Sequence, residues 1–152
     1  MNHTVKDCFQ ITLPEDREVH YPIVQITLMS HSPDRKFQVR ADVRQSPIPQ
    51  KDNEYIRRLQ KHAVRSKDVP HALEESGSLH IDNQEAQWSL FSFHDTFHED
   101  TDIPSKTKKY WLLYHVQTSE KTYSINFHGD YDNLETDRKT IDEIISNFKI
   151  LK

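Results

Sequence analysis

A chain of 152 residues with 34% hydrophobic and 29% charged side chains has the length of one domain and enough apolar residues to fold under a well-solvated surface. A net charge of −4 is a poor footprint for nucleic acid, 2 glycines leave little for a phosphate-cradling loop, and 1 cysteine makes neither an internal disulfide nor a thiolate zinc site. With no signal-like or membrane-length apolar run at hand, we expect a cytoplasmic protein and a single domain over residues 1–152.

In chain order, Phe9, Ile11 and Leu13 alternate with Cys8, Gln10 and Thr12 up to Pro14, which predicts a first strand with Cys8 buried in it. Ile23 to Leu28 predicts a second. From Lys36 to Arg44, Phe37, Val39, Ala41 and Val43 turn inward while Lys36, Gln38, Arg40, Asp42 and Arg44 turn outward, as in a sheet with one wet face; Ser32-Pro33-Asp34 supplies the preceding turn. Beyond Pro47 and Pro49, the residues Tyr55, Ile56, Leu59 and Ala63 recur at helical spacing within Gln50 to Ser66, and Arg57, Arg58, Lys61 and Arg65 make the opposite face basic.

Pro70 and the polar stretch Glu74 to Gly77 predict a break. Leu79 and Ile81 then lead through Asp82-Asn83 into a long strand from Glu85 to His94, with Trp88 and Leu90 on one face and Phe91 and Phe93 on the other, so it is expected to be central. Asp95 to Lys108 carries no apolar period, and so long a connection in a compact domain points to a functional loop. Two further strands follow, one with Tyr110, Leu112, Tyr114 and Val116 on a face and one with Tyr123, Ile125 and Phe127. A final amphipathic helix carries Ile141, Ile144, Ile145 and Phe148, opened by Asp132 and Glu135 as a capping-box pair.

Charge is segregated, since residues 35–67 sum to +7 and residues 68–102 to −9. Side by side, a basic helix and an acidic hairpin would simply neutralise each other; apart, they suit a protein partner. The densest set of candidate ligands is His94, Asp95, His98, Glu99, Asp100 and Asp102. His94 and His98 would share a metal ion only if that stretch were helical, whereas its flanks predict a hairpin, so we assign neither a metal nor a cofactor. Phe97 in the same acidic loop, an aromatic rimmed by charge, is built as interface anchors are. The other histidines are scattered. His115 and His128 could lie on neighbouring strands, but no nucleophile stands at motif spacing from either, and we assign no catalytic residue.

This order of elements resembles the PsbP-like superfamily. The resemblance rests on Phe9-Gln10-Ile11-Thr12-Leu13-Pro14, on Gly77-Ser78-Leu79-His80-Ile81 with Glu85-Ala86-Gln87-Trp88, on Lys121-Thr122-Tyr123-Ser124-Ile125-Asn126-Phe127, and on Ile144-Ile145-Ser146-Asn147-Phe148-Lys149-Ile150. The chain departs from the usual pattern in having Asp82-Asn83 where a glycine turn is common, and in the charged insertion Asp95 to Lys108. The resemblance implies an α+β fold with one antiparallel sheet flanked by helices, an α/β/α sandwich, in a family whose members mostly bind proteins. Its bacterial members include Eag-type chaperones of type VI secretion effectors.

The reading that follows is a non-enzymatic cytoplasmic module that masks or escorts one protein partner, either as an immunity protein against a toxin or as a chaperone of a secreted effector. Its expected contacts are Phe97, His98, Glu99, Asp100 and Asp102 in the loop and Arg57, Arg58 and Lys61 on the helix, with a homodimer as another form of partnership. The competing expectations are a metal-assisted hydrolase at His94 and His98, and a structural subunit of a larger assembly.

Overall fold

The computed structural model of the chain describes residues 1–5, 8–21, 27–45, 71–94, 108–118 and 121–151. In chain order the strands are β1 (Asn2–Val5), β2 (Phe9–Thr12), β3 (Glu18–His20), β4 (Thr27–His31), β5 (Gln38–Gln45), β6 (Ala72–Ile81), β7 (Gln84–His94), β8 (Lys108–Gln117) and β9 (Lys121–Asp130). A 3-10 turn (Tyr131–Asn133), helix α1 (Leu134–Ser146) and β10 (Lys149–Ile150) complete it.

The alternating segments form a seven-stranded sheet of order β3-β4-β5-β9-β8-β7-β6, antiparallel at every pairing. On its inner face Val39, Ala41, Val43, Leu90, Leu112, Val116, Ile125 and Phe127 are buried, so the two-residue period marked them correctly. Ile141, Ile144, Ile145 and Phe148 are buried in the same cluster.

The expected single sheet is corrected to two. Strands β1, β2 and β10 make a separate three-stranded sheet of order β1-β2-β10, in which Gln10 pairs with Lys149 and Phe9 with Ile150. Its outer strands gave no period to read, because β1 shows only Val5 to the core and β10 has two residues. Phe9 locks the sheets together: its ring stacks on Phe148 at 5.2 Å and meets Tyr123 edge-on at 6.3 Å.

Three local expectations also change. Glu74 to Gly77 is no break; it runs through β6, an outer strand on which polar side chains meet solvent and an irregularity at Leu73/Glu75 interrupts the ladder. Cys8 sits half-buried in the turn before β2, not in a strand. The Asp132/Glu135 capping box does not form, because the chain enters α1 through the 3-10 turn and neither Asp130 nor Asn133 makes a side-chain cap. Asp130 instead binds Lys109.

The turn at Asp82-Asn83 has φ of 47° and 63°, the left-handed pair that a two-residue hairpin requires. An aspartate stands there rather than glycine for a visible reason: its Oδ2 accepts the backbone N–H of Ile150 at 2.8 Å, fastening the last strand. The predicted helix Gln50 to Ser66, and most of the predicted strand Ile23 to Leu28, lie outside the described residues. Among the described residues no helix is long and apolar enough to cross a membrane.

Candidate functional site

The sheet face turned away from α1 is not uniformly polar. Register places Trp111 of β8 opposite His128 of β9 and opposite Phe91 of β7. The rings follow suit, with Trp111 stacked on Phe91 at 4.9 Å and on His128 at 6.0 Å with only 9° between the planes. His71, just before β6, packs on Phe93 at 4.4 Å and meets Trp111 edge-on at 6.0 Å. Trp111 is fixed by its indole N–H, which donates to Asn126 Oδ1 at 2.8 Å. Offset and edge-on pairs of this kind each contribute about 0.5–1.5 kcal/mol beyond burial, so a five-ring patch is a rigid platform.

At the end of that platform the β4–β5 turn meets the ends of β7, β8 and β9 around an open cleft of about 190 Å³, lined by Arg35, Lys36, Gln38, Phe93, Lys109, Tyr110, His128 and Gly129. The turn is built by Ser32, whose N–H donates to Phe37 O, whose carbonyl accepts the Arg35 N–H at 2.8 Å, and whose hydroxyl donates to Asp34 at 2.5 Å. That arrangement holds Arg35 at φ 60°, a left-handed conformation that a residue with a Cβ adopts only at a cost.

Among the described residues neither Arg35 nor Lys36 forms an ion pair. Lys109 is held by Asp130. The cleft therefore offers two exposed cations and a third, half-neutralised one against an aromatic wall.

The titrating groups around it are tuned by burial. Burial, with His71 nearby, lowers His128 to about 4, so its ring is neutral at physiological pH and stacks without carrying charge. Burial, reinforced by the hydrogen bond to Asp137 at 2.8 Å, raises the Tyr110 hydroxyl well above its ordinary range, so it stays a donor. Asp137 is itself raised by burial, against the lowering effect of that same bond.

Phe97, His98, Glu99, Asp100, Asp102, Arg57, Arg58 and Lys61 all lie outside the described residues. The roots of the acidic loop do not: His94 and Lys108 face each other in register at the cleft end of the sheet. His94 is exposed and sits on a strand, so the helical spacing that would have paired it with His98 is absent at its own position. His115 and His128 share a sheet face without sharing a site, His115 standing opposite Ser124 and His128 opposite Trp111.

Sequence reasoning missed the platform because His71, Phe93, Trp111 and His128 come from four separate stretches. Alternation alone could have put Trp111 and His128 on the outward face of their strands, yet nothing in it gives the pairing of β8 with both β7 and β9.

No known sequence family matches the chain, and no curated protein does. Solved structures do. A cyanobacterial PsbP from Synechocystis sp. PCC 6803 superposes with a TM-score of 0.69 at 10% identity, over 99% of this chain and 91% of that one. LpqN of Mycobacterium tuberculosis, described as involved in cell envelope biogenesis, gives 0.62 at 10% identity over 95% and 83%. A Pseudomonas aeruginosa protein of unknown function, called a putative regulator, gives 0.56 at 10% identity over 97% and 94%. At such identities the likeness is one of architecture, and what it establishes is that this chain has a PsbP-like fold.

Proposed function

We propose that the chain is a non-enzymatic protein-binding module that masks or escorts one protein partner, and that the cleft between Arg35, Lys36 and Lys109 receives a carboxylate-bearing segment of that partner. The observation that carries this reading is the cation pair at the cleft mouth. Arg35 is held at a left-handed φ, with no ion pair among the described residues, beside a preformed aromatic wall. A strained Arg35 beside a second cation and rigid rings suits recognition, because the platform is ordered before the partner arrives and little entropy remains to be lost. His128 is neutral and Tyr110 keeps its proton at physiological pH, so neither adds charge to the cleft beside the cations. An immunity protein and an effector chaperone are the two forms of this activity to separate.

The test is capture of interacting proteins from source-cell lysate with the tagged chain and with Arg35→Glu/Lys36→Glu, at low and moderate salt. The expected result is one stoichiometric partner, retained by the wild type at low salt, weakened as salt rises and absent from the double variant. An identical set of captured proteins on both baits would remove the cleft from the binding surface.

A further inference from the structure

At the β3 edge of the large sheet, three side chains of metal-ligand type converge on the β3–β4 pair, none of them lining the cleft. Glu18 and His20 are two apart on β3 and so point to one face. His31 of β4 stands directly across from Glu18, and His20 lies across from Met29, which puts the two histidines on a diagonal. Their rings are 5.9 Å apart. One ligand atom from each of the three lies within 4.8 Å of the other two.

The state of the His31 ring makes this more than proximity. Its Nδ1 is 3.1 Å from the carbonyl oxygen of Ser32, an atom that only accepts, so Nδ1 is the nitrogen that holds the proton when the ring has one, and Nε2 is the nitrogen left to bind a metal. That nitrogen lies 3.5 Å from a carboxylate oxygen of Glu18. A separation of 3.5 Å is too long for a good charge-assisted hydrogen bond, which runs at about 2.7–2.9 Å. It is close to the edge of a tetrahedron whose ligands sit about 2.0–2.1 Å from a central ion, roughly 3.4 Å. A ring N–H given to a backbone carbonyl is also how metal-bound histidines are commonly oriented, because it fixes the tautomer and raises the basicity of the other nitrogen.

We propose that Glu18, His20 and His31 bind one divalent transition-metal ion of the zinc class. Glu18 and His20 are exposed and His31 is half-buried, so two exposed ligands would close on a third at the sheet surface, with a fourth position open to solvent. The ion would clamp the three-residue edge strand β3 onto β4. A mixed imidazole and carboxylate set favours zinc and its neighbours over calcium or magnesium, which take oxygen ligands in larger number.

The test is calorimetric titration of chelator-stripped full chain with Zn²⁺, alongside His20→Ala, His31→Ala and, because the chain has 10 histidines, His80→Ala as a control outside the cluster. The expected result is one ion per chain in the wild type and in His80→Ala, with binding weakened at least about tenfold in each cluster variant. Zn²⁺ should raise the melting temperature of the wild type and leave that of His31→Ala unmoved, while Ca²⁺ and Mg²⁺ move neither. His20 is exposed, so its loss leaves the fold as a fair comparison. Zn²⁺ binding of equal strength in the cluster variants, or none in the wild type, would overturn the proposal.

Discussion

Single residues carry two costs that the surrounding structure offsets. Asp82 and Asn83 both occupy left-handed backbone, yet only Asp82 has a side chain with a further task, accepting the Ile150 N–H. Asn83→Gly should therefore stabilise the protein by about 1 kcal/mol, by removing the strain alone. Asp82→Gly should lower stability despite relieving the same strain, and amide exchange at Ile150 should speed up; chemical denaturation and hydrogen exchange check the pair. Buried His115 is a cost of another kind. Burial first, and Arg44 second, lower it to about 4, so the unfolded chain takes up its proton near pH 6.5 while the folded one refuses it until about pH 4. More protons on the unfolded state across that window mean that stability falls as pH drops from about 6.5 to about 4, by at most about 1.4 kcal/mol per pH unit for this group. Denaturation midpoints at several pH values should show the fall, and His115→Gln should flatten part of it.

Among the elements, the inward faces of β5, β8, β9 and α1 were legible because each puts four or so apolar residues at a regular period. What escaped were elements whose place depends on a distant partner. β6 reads as polar because it is an outer strand, and its Glu74 and Glu75 belong to a ladder with β7 that no local pattern announces. β10 is two residues long and is recognisable only by its pairing with β2. Strand pairing also explains where the 2 glycines lie. A Cβ on Gly129 of β9 would come within 2.8 Å of the Tyr110 ring, and one on Gly77 of β6 within 2.8 Å of the Trp88 indole. Each is the bare spot over which a neighbouring strand lays an aromatic ring. Gly129→Ala should cost roughly 1–3 kcal/mol by overpacking a ring with no room to withdraw. Gly77→Ala should cost less, since Trp88 is half-buried and can yield. Urea midpoints of the two variants decide the order.

For the whole molecule, the charge segregation seen in the sequence can be followed only where residues 35–45 and 71–94 are described. Three of the four described acids of the second stretch find their cations in the last third of the chain: Glu74 with Lys108, Glu75 with Arg138 and Asp82 with Lys149. That leaves Arg35 and Lys36 without an ion pair among the described residues, which is why the cleft is read as a receiving surface. The aromatic platform and the Glu18, His20 and His31 cluster were illegible for one shared reason: each is assembled by register between strands, and composition carries no register. The sheet order has one more consequence, for the chain as it leaves the ribosome. Strand β5 waits for β9, and residues 9 and 10 wait for residues 149 and 150, so neither sheet can close until nearly all of the described chain has been made. Loop-closure entropy must be met before those contacts return anything, so folding should be slow for the size, and the nascent chain holds Phe9, Ile11 and the open side of β5 unshielded throughout synthesis.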